Sequence, residues 1–162
     1  MTVMERCKIA LSQAVLTLTV LAVSQWSFAA EKFDSKELFE KYRSAMMQGD
    51  AGTLKQMIAP DALVKVSLIQ KNEPDIVISL SRTEYLQQVR ALWRFSSEQR
   101  YEIDLIDVQE VGTDQWSLAL TQKDEYKLFG ESIGQNSDIV LQCELQDGAV
   151  VISAIRTVTR QW

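Results

Sequence analysis

The chain offers few side chains able to do chemistry, because its 162 residues include no histidine. A His-based triad, a His–carboxylate dyad and a His metal site are therefore excluded. What is left is carboxylates, tyrosines, one arginine in an apolar run and two cysteines. Gln122 and Asp124 fall in phase with Trp116, Leu118, Leu120 and Tyr126, so they share the apolar face of a strand. A carboxylate there can line a pocket with its pKa raised, a candidate acid or base. It can equally sit where the strand end emerges into solvent. Arg156, between Ala154 and Val158, can pair with Asp124, receive an anionic ligand, or lay its stem along the sheet surface. Tyr85, Trp93 and Tyr101 could stack on a flat apolar ligand or pack in a core. Asp104 and Asp107 flank a phase slip in one strand, a place where side chains are re-aimed, and read otherwise as solvated.

Other chemistries leave no trace. There is no phosphate-binding glycine loop, nucleophile elbow, zinc-type cysteine pair or calcium-loop spacing. No metal and no cofactor is expected. With 17 basic against 22 acidic residues the net charge is −5, which argues against a nucleic-acid partner.

Residues 1–29 read as a secretory signal peptide. Arg6 and Lys8 precede the uncharged stretch Ile9–Val23, and Ser27-Phe28-Ala29 supplies the small-x-small end. The alternative is an uncleaved membrane anchor, which needs about 20 apolar residues. Cleavage after Ala29 removes two basic and one acidic residue and one cysteine. The exported domain, 30–162, then carries −6 and a single thiol, Cys143, which alternates with Ile139, Leu141 and Leu145 as a buried small hydrophobe would.

The elements that must position these groups change period once along the chain. Asp34 caps a helix whose stripe is Leu38, Phe39, Tyr42, Ala45 and Met46. Gly49 ends it, Asp50 opens a second, and Pro60 closes a helical hairpin over 34–59. Two short strands follow, Ala62–Gln70 and Ile76–Leu80. Ser81-Arg82-Thr83-Glu84 then forms a capping box, opening a third helix buried along Tyr85, Leu86, Val89, Leu92 and Trp93. Four strands complete the chain: Arg100–Val111, Gln115–Leu128, Ser137–Gln146 and Ala149–Arg160. Gly112-Thr113-Asp114 and Asp147-Gly148 are turns, Gly130–Asn136 is a looser connection, and the phase slip predicts a β-bulge near Leu105. One α+β domain results, a curved antiparallel sheet wrapped around three helices.

This order resembles the nuclear transport factor 2-like superfamily, a cone-shaped α+β roll that includes ketosteroid isomerase, scytalone dehydratase and the polyketide cyclases. The resemblance covers nearly all of 33–160. Its most specific piece is Gly49-Asp50-Ala51-Gly52-Thr53-Leu54 with Ile58-Ala59-Pro60-Asp61-Ala62, similar to the junction from second helix to strand in that group. The family's His–carboxylate chemistry is excluded. Ketosteroid isomerase uses a tyrosine on the first helix, an Asp base in the first strand and a second acid in the sheet. The resemblance implies Tyr42 for the tyrosine, but places the base near Val66 and the second acid near Leu141, neither able to hold a proton. Tyr42 is also explained as a core aromatic.

The expected function is non-enzymatic binding of a small, largely apolar molecule in the cone cavity, with Tyr42, Tyr85, Trp93, Gln122, Asp124 and Arg156 as the candidate lining. One alternative is a divergent isomerase or lyase, with Asp124 as base and Tyr42 as hydrogen-bond donor. The other is an interaction module of an envelope assembly using the sheet face, as a homodimer in many superfamily members.

Overall fold

A computed structural model describes residues 33–70 and 74–161. The proposed signal peptide, 1–29, lies outside them. Residues from Asp34 onward form one compact unit. Helix α1 (Ser35–Gln48) starts where Asp34 Oδ1 accepts from the backbone N–H groups of Lys36 and Glu37, at 2.9 and 3.1 Å. It ends at Gly49 in the left-handed conformation, φ 67°, with Asp50 N donating to Ala45 O. The inside of that turn is covered by Trp93, whose ring lies 3.5 Å from where a Gly49 Cβ would stand. Asp50 then caps α2 (Ala51–Met57), and Ser81 with Glu84 completes the capping box of α3 (Arg82–Phe95).

The strands are β1 (Ile58–Ile69), β2 (Ile76–Ser81), β3 (Ser96–Gly112), β4 (Gln115–Leu128), β5 (Glu131–Gln146) and β6 (Ala149–Gln161). They form one six-stranded sheet in the order β2-β1-β6-β5-β4-β3, and all three helices pack against it. The expectation of an antiparallel sheet needs one correction. The chain returns to lay its last strand beside its first, so β1 and β6 run parallel and the sheet is mixed.

Bulges bend this sheet. In β3 the expected one is present: Leu105 pairs with Leu120 and Asp107 with Ala119, leaving Ile106 unpaired and 62% exposed. Pro60 does not end a helix but sits inside β1. It falls in the irregular stretch between the pairs Ile58–Ile152 and Leu63–Ala154, where a missing N–H costs no ladder bond. The stretch 130–136 is strand rather than loose connection. Phe129 and Gly130, both at positive φ, make a two-residue turn, and β5 pairs with β4 from Leu128–Glu131 onward.

The registers line up in rows across the concave face. The deepest, Val64–Ile155–Leu141–Leu118, is almost fully buried and with Leu54 and Ile152 forms the core. The next, Val66–Thr157–Ile139–Leu120, is still mostly apolar. Then come Leu68–Thr159–Ser137–Gln122 and, at the open end, Gln135 paired with Asp124. Polarity therefore rises row by row along the strands, at about 3.3 Å per residue.

Candidate functional site

A cavity of about 280 Å³ lies between this graded face and helices α1 and α3. From α1 come Tyr42 and Met46, and from α3 Tyr85, Gln88, Val89 and Leu92. The sheet contributes Val66 and Leu68, Thr157 and Thr159, Ser137 and Ile139, and the polar group Gln122, Asp124 and Gln135. Periodicity explains each placement. Tyr42 and Met46 lie one turn apart on the buried stripe of α1, as do Tyr85, Val89 and Leu92 on α3. Gln122 and Asp124 share the inward parity of β4 with Leu118 and Leu120.

Asp124 is the centre of the polar end. It is 2% exposed, so it does not emerge into solvent at the strand end. Gln122 Nε2 donates to both its oxygens, at 2.8 and 2.9 Å, and Gln135 Nε2 donates to Oδ2 at 2.8 Å. Burial raises its pKa above the ordinary carboxylate value, and the two amides oppose that shift without cancelling it. No lysine or arginine lines the cavity. Ser137 Oγ and Thr159 Oγ1, direct cross-strand partners, share a hydrogen bond of 2.9 Å. Tyr42, 1% exposed, has its hydroxyl paired with that of Tyr85. Burial raises both phenols, and the nearby Asp124 charge adds to the rise. Tyr101, which pairs with Asp124 across the ladder, is pushed up to about 12, again mainly by burial. All three tyrosines are thus neutral at physiological pH.

Two buried polar atoms have no hydrogen-bond partner among the described residues, Trp93 Nε1 outside the cavity and Gln122 Oε1 within it. Gln122 is 8% exposed. Its amide cannot simply be turned over, because that would set Oε1 against the Asp124 carboxylate.

The structure brings Tyr42, Tyr85, Gln122 and Asp124 together. It does not bring Trp93 or Arg156 to them. Trp93 covers the Gly49 turn on the flank of α3, outside the cavity. Arg156 is exposed on the outer sheet face between inward Ile155 and Thr157, and so cannot meet Asp124. Its misplacement has a local cause. Gln142 pairs with Ala154 but Cys143 pairs with Ile152, so Ser153 is skipped and the apolar neighbours Ala154 and Val158 face outward together with Arg156. Asp104 and Asp107 are exposed, and Asp107 is bonded to Val108 N and Gln109 Nε2. Cys143 is 2% exposed and burial pushes its thiol up to about 12, which leaves it unreactive. Val66 lines the cavity and Leu141 lies below it in the core, so the isomerase-like acid positions are apolar.

The sequence reading missed Gln135, Ser137, Thr157 and Thr159. Gln135 lay in the stretch taken for a loop, although its pairing with Asp124 follows once β5 is extended to Glu131. A larger groove, about 500 Å³, runs along Glu98, Arg100, Glu125 and Lys127. Its charges are exposed and in part paired, Lys127 with Glu98 at 2.7 Å, and it contains no buried charged group, so it is the weaker candidate. No group of three or more His, Cys, Asp or Glu converges among the described residues, and no helix there is long and apolar enough to cross a membrane.

No family model matches the chain, and no curated protein matches it. Solved structures do. It is similar to a ketosteroid isomerase-like protein from Erwinia carotovora atroseptica, at TM-score 0.55 and 11% identity over 77% of this chain and 91% of that one. A nuclear transport factor 2-like protein of unknown function in nutrient uptake from Rhodospirillum rubrum aligns at TM-score 0.58 and 17% identity, over 78% and 98% of the two chains. An uncharacterised protein with a cystatin-like fold from Caulobacter vibrioides gives 0.58 and 12%, over 76% and 84%. The chain therefore has the nuclear transport factor 2-like, cystatin-like cone fold. At these identities the likeness concerns the fold alone, and such folds carry unrelated functions.

Proposed function

We propose that the protein binds a small, largely apolar molecule in the cone cavity without transforming it. The supporting observation is the cavity itself: about 280 Å³, apolar at its inner end and polar at its outer end. That is roughly twice the ~150 Å³ of an apolar cavity that takes up benzene. At ~30 Å³ per water-sized group it holds about nine such groups. The test is thermal unfolding with a panel of neutral six- to nine-carbon compounds. A ligand at one hundred times its Kd stabilises the fold by about 2.7 kcal/mol, a rise in Tm of several degrees. If none of the panel raises Tm, the reading fails.

A second reading is proton abstraction next to a carbonyl. Asp124 and Tyr42 line one cavity, and burial moves the carboxyl toward the range of a useful base. It predicts exchange of an α-hydrogen of a bound ketone for deuterium in heavy water, abolished in Asp124→Asn. No exchange above solvent rate rejects it. Export with cleavage after Ala29 is part of the same proposal, and the mass of the protein recovered from outside the cytoplasm tests it. Pairing of two copies through the outer sheet face is likewise proposed, with sedimentation as its test.

A further inference from the structure

We propose that the occupant of this cavity carries a protonated amine at one end, held between the Asp124 carboxylate and Gln122 Oε1, with its apolar part directed toward Val66 and Ile139. The inference rests on the pocket reading above and adds the chemical class of the ligand. The charge and hydrogen-bonding pattern of the polar end carries it. Asp124 is 2% exposed, and no cationic side chain is placed to balance it among the cavity residues. A buried carboxylate without a counter-ion costs several kcal/mol, which a cationic ligand would relieve. Its hydrogen-bond partners are both amide donors, Gln122 and Gln135, an arrangement that favours the charged form.

Gln122 Oε1, on the same side chain, is a second acceptor left without a donor. An ammonium group supplies three N–H donors and no acceptor, which matches what the site lacks. Next to it, the Ser137 and Thr159 hydroxyls retain spare lone pairs for a third N–H. Tyr42 and Tyr85, both neutral, line the same cavity and add no opposing charge. A carboxylate or phosphate head would instead meet a like charge with nothing to offset it. Inward from the polar row, Val66, Ile139, Val89 and Leu92 offer only apolar surface to the rest of the molecule.

The experiment compares three probes of one chain length, hexylammonium, 1-hexanol and hexanoate, by titration calorimetry on the whole protein at about pH 8, where the amine is protonated. Hexylammonium is expected to bind at least tenfold tighter than 1-hexanol, and hexanoate weakest. In Asp124→Asn the preference for hexylammonium over 1-hexanol should fall below about threefold. Equal affinity for amine and alcohol, or tightest binding of hexanoate, overturns the amine inference and leaves the pocket reading standing. Failure of all three to bind overturns both.

If the variant does not fold, the unaltered protein still decides. The amine preference should fade as pH falls through the Asp124 titration, with 1-hexanol unaffected. The titratable groups that face Asp124 are Tyr42, Tyr85, Tyr101 and Tyr126, all raised by burial, so Asp124 alone titrates in the acid range. A preference that does not change with pH contradicts the proposal.

Discussion

Replacing Asp124 with asparagine keeps the size of the side chain and removes its proton equilibrium. In the folded protein burial holds this carboxyl above its ordinary value, while in the unfolded chain it titrates near 3.9. Between those two values the folded form keeps a proton that the unfolded form has lost. Stability must then fall as pH rises, by at most about 1.4 kcal/mol per pH unit for one proton. The contribution is fully present below the unfolded value and is lost once pH has passed the folded one. The two glutamine amides limit the loss, since hydrogen bonds to a charged group are worth about 1.5–3 kcal/mol each and both aim at Asp124. Urea unfolding of both proteins from about pH 3 to pH 8 gives the measurement. The difference, wild type minus Asp124→Asn, should decline above pH ~4 and level off at the folded pKa. A flat difference would mean that the amides cancel burial and a rising one that they outweigh it, and either would refute the reasoning.

Three further outcomes follow from the scaffold. Gly49→Ala should cost about 1–2 kcal/mol, because φ is 67°, while the added Cβ would meet Trp93 only at ordinary contact distance; Tm should fall by about 3–6 °C per kcal/mol, and an unchanged Tm would count against the strained turn. Ser81→Ala removes one half of the α3 capping box and should cost about 1 kcal/mol in urea unfolding, with the cavity lining intact. Cys143, 2% exposed with its thiol pushed up to about 12, should react with a thiol reagent only at the rate of unfolding, and prompt reaction in the native state would show the core to be open.

The periodicity of the chain carried most of the fold and about half of the site. Alternation from Trp116 to Tyr126 is long enough to place Gln122 and Asp124 on the inner face, and the three-four spacing does the same for Tyr42 and Tyr85. What alternation cannot show is whether an inward carboxylate is covered, because that depends on α1 and α3 closing over the sheet. Parity also fails at a bulge. Ser153 breaks the alternation within β6, so Ala154, Arg156 and Val158 together face out although Ile152 faces in. Gln135 was hidden for another reason. Gly134, Ser132 and Asn136 have turn chemistry, yet their backbone is held in the ladder by β4, so tertiary pairing overrides local preference. The parallel contact of β1 with β6 joins residues about ninety positions apart, and no local pattern encodes it.

The central claim, that the cone cavity receives a small apolar molecule, is most directly tested by locating such a molecule. With the methyl groups of Val, Leu and Ile labelled in the whole protein, intermolecular NOEs to bound 1-hexanol are the observable. The account predicts NOEs to Val66, Val89, Leu92 and Ile139, which line the cavity. NOEs confined to exposed methyls such as Leu63 and Ile106 would contradict it.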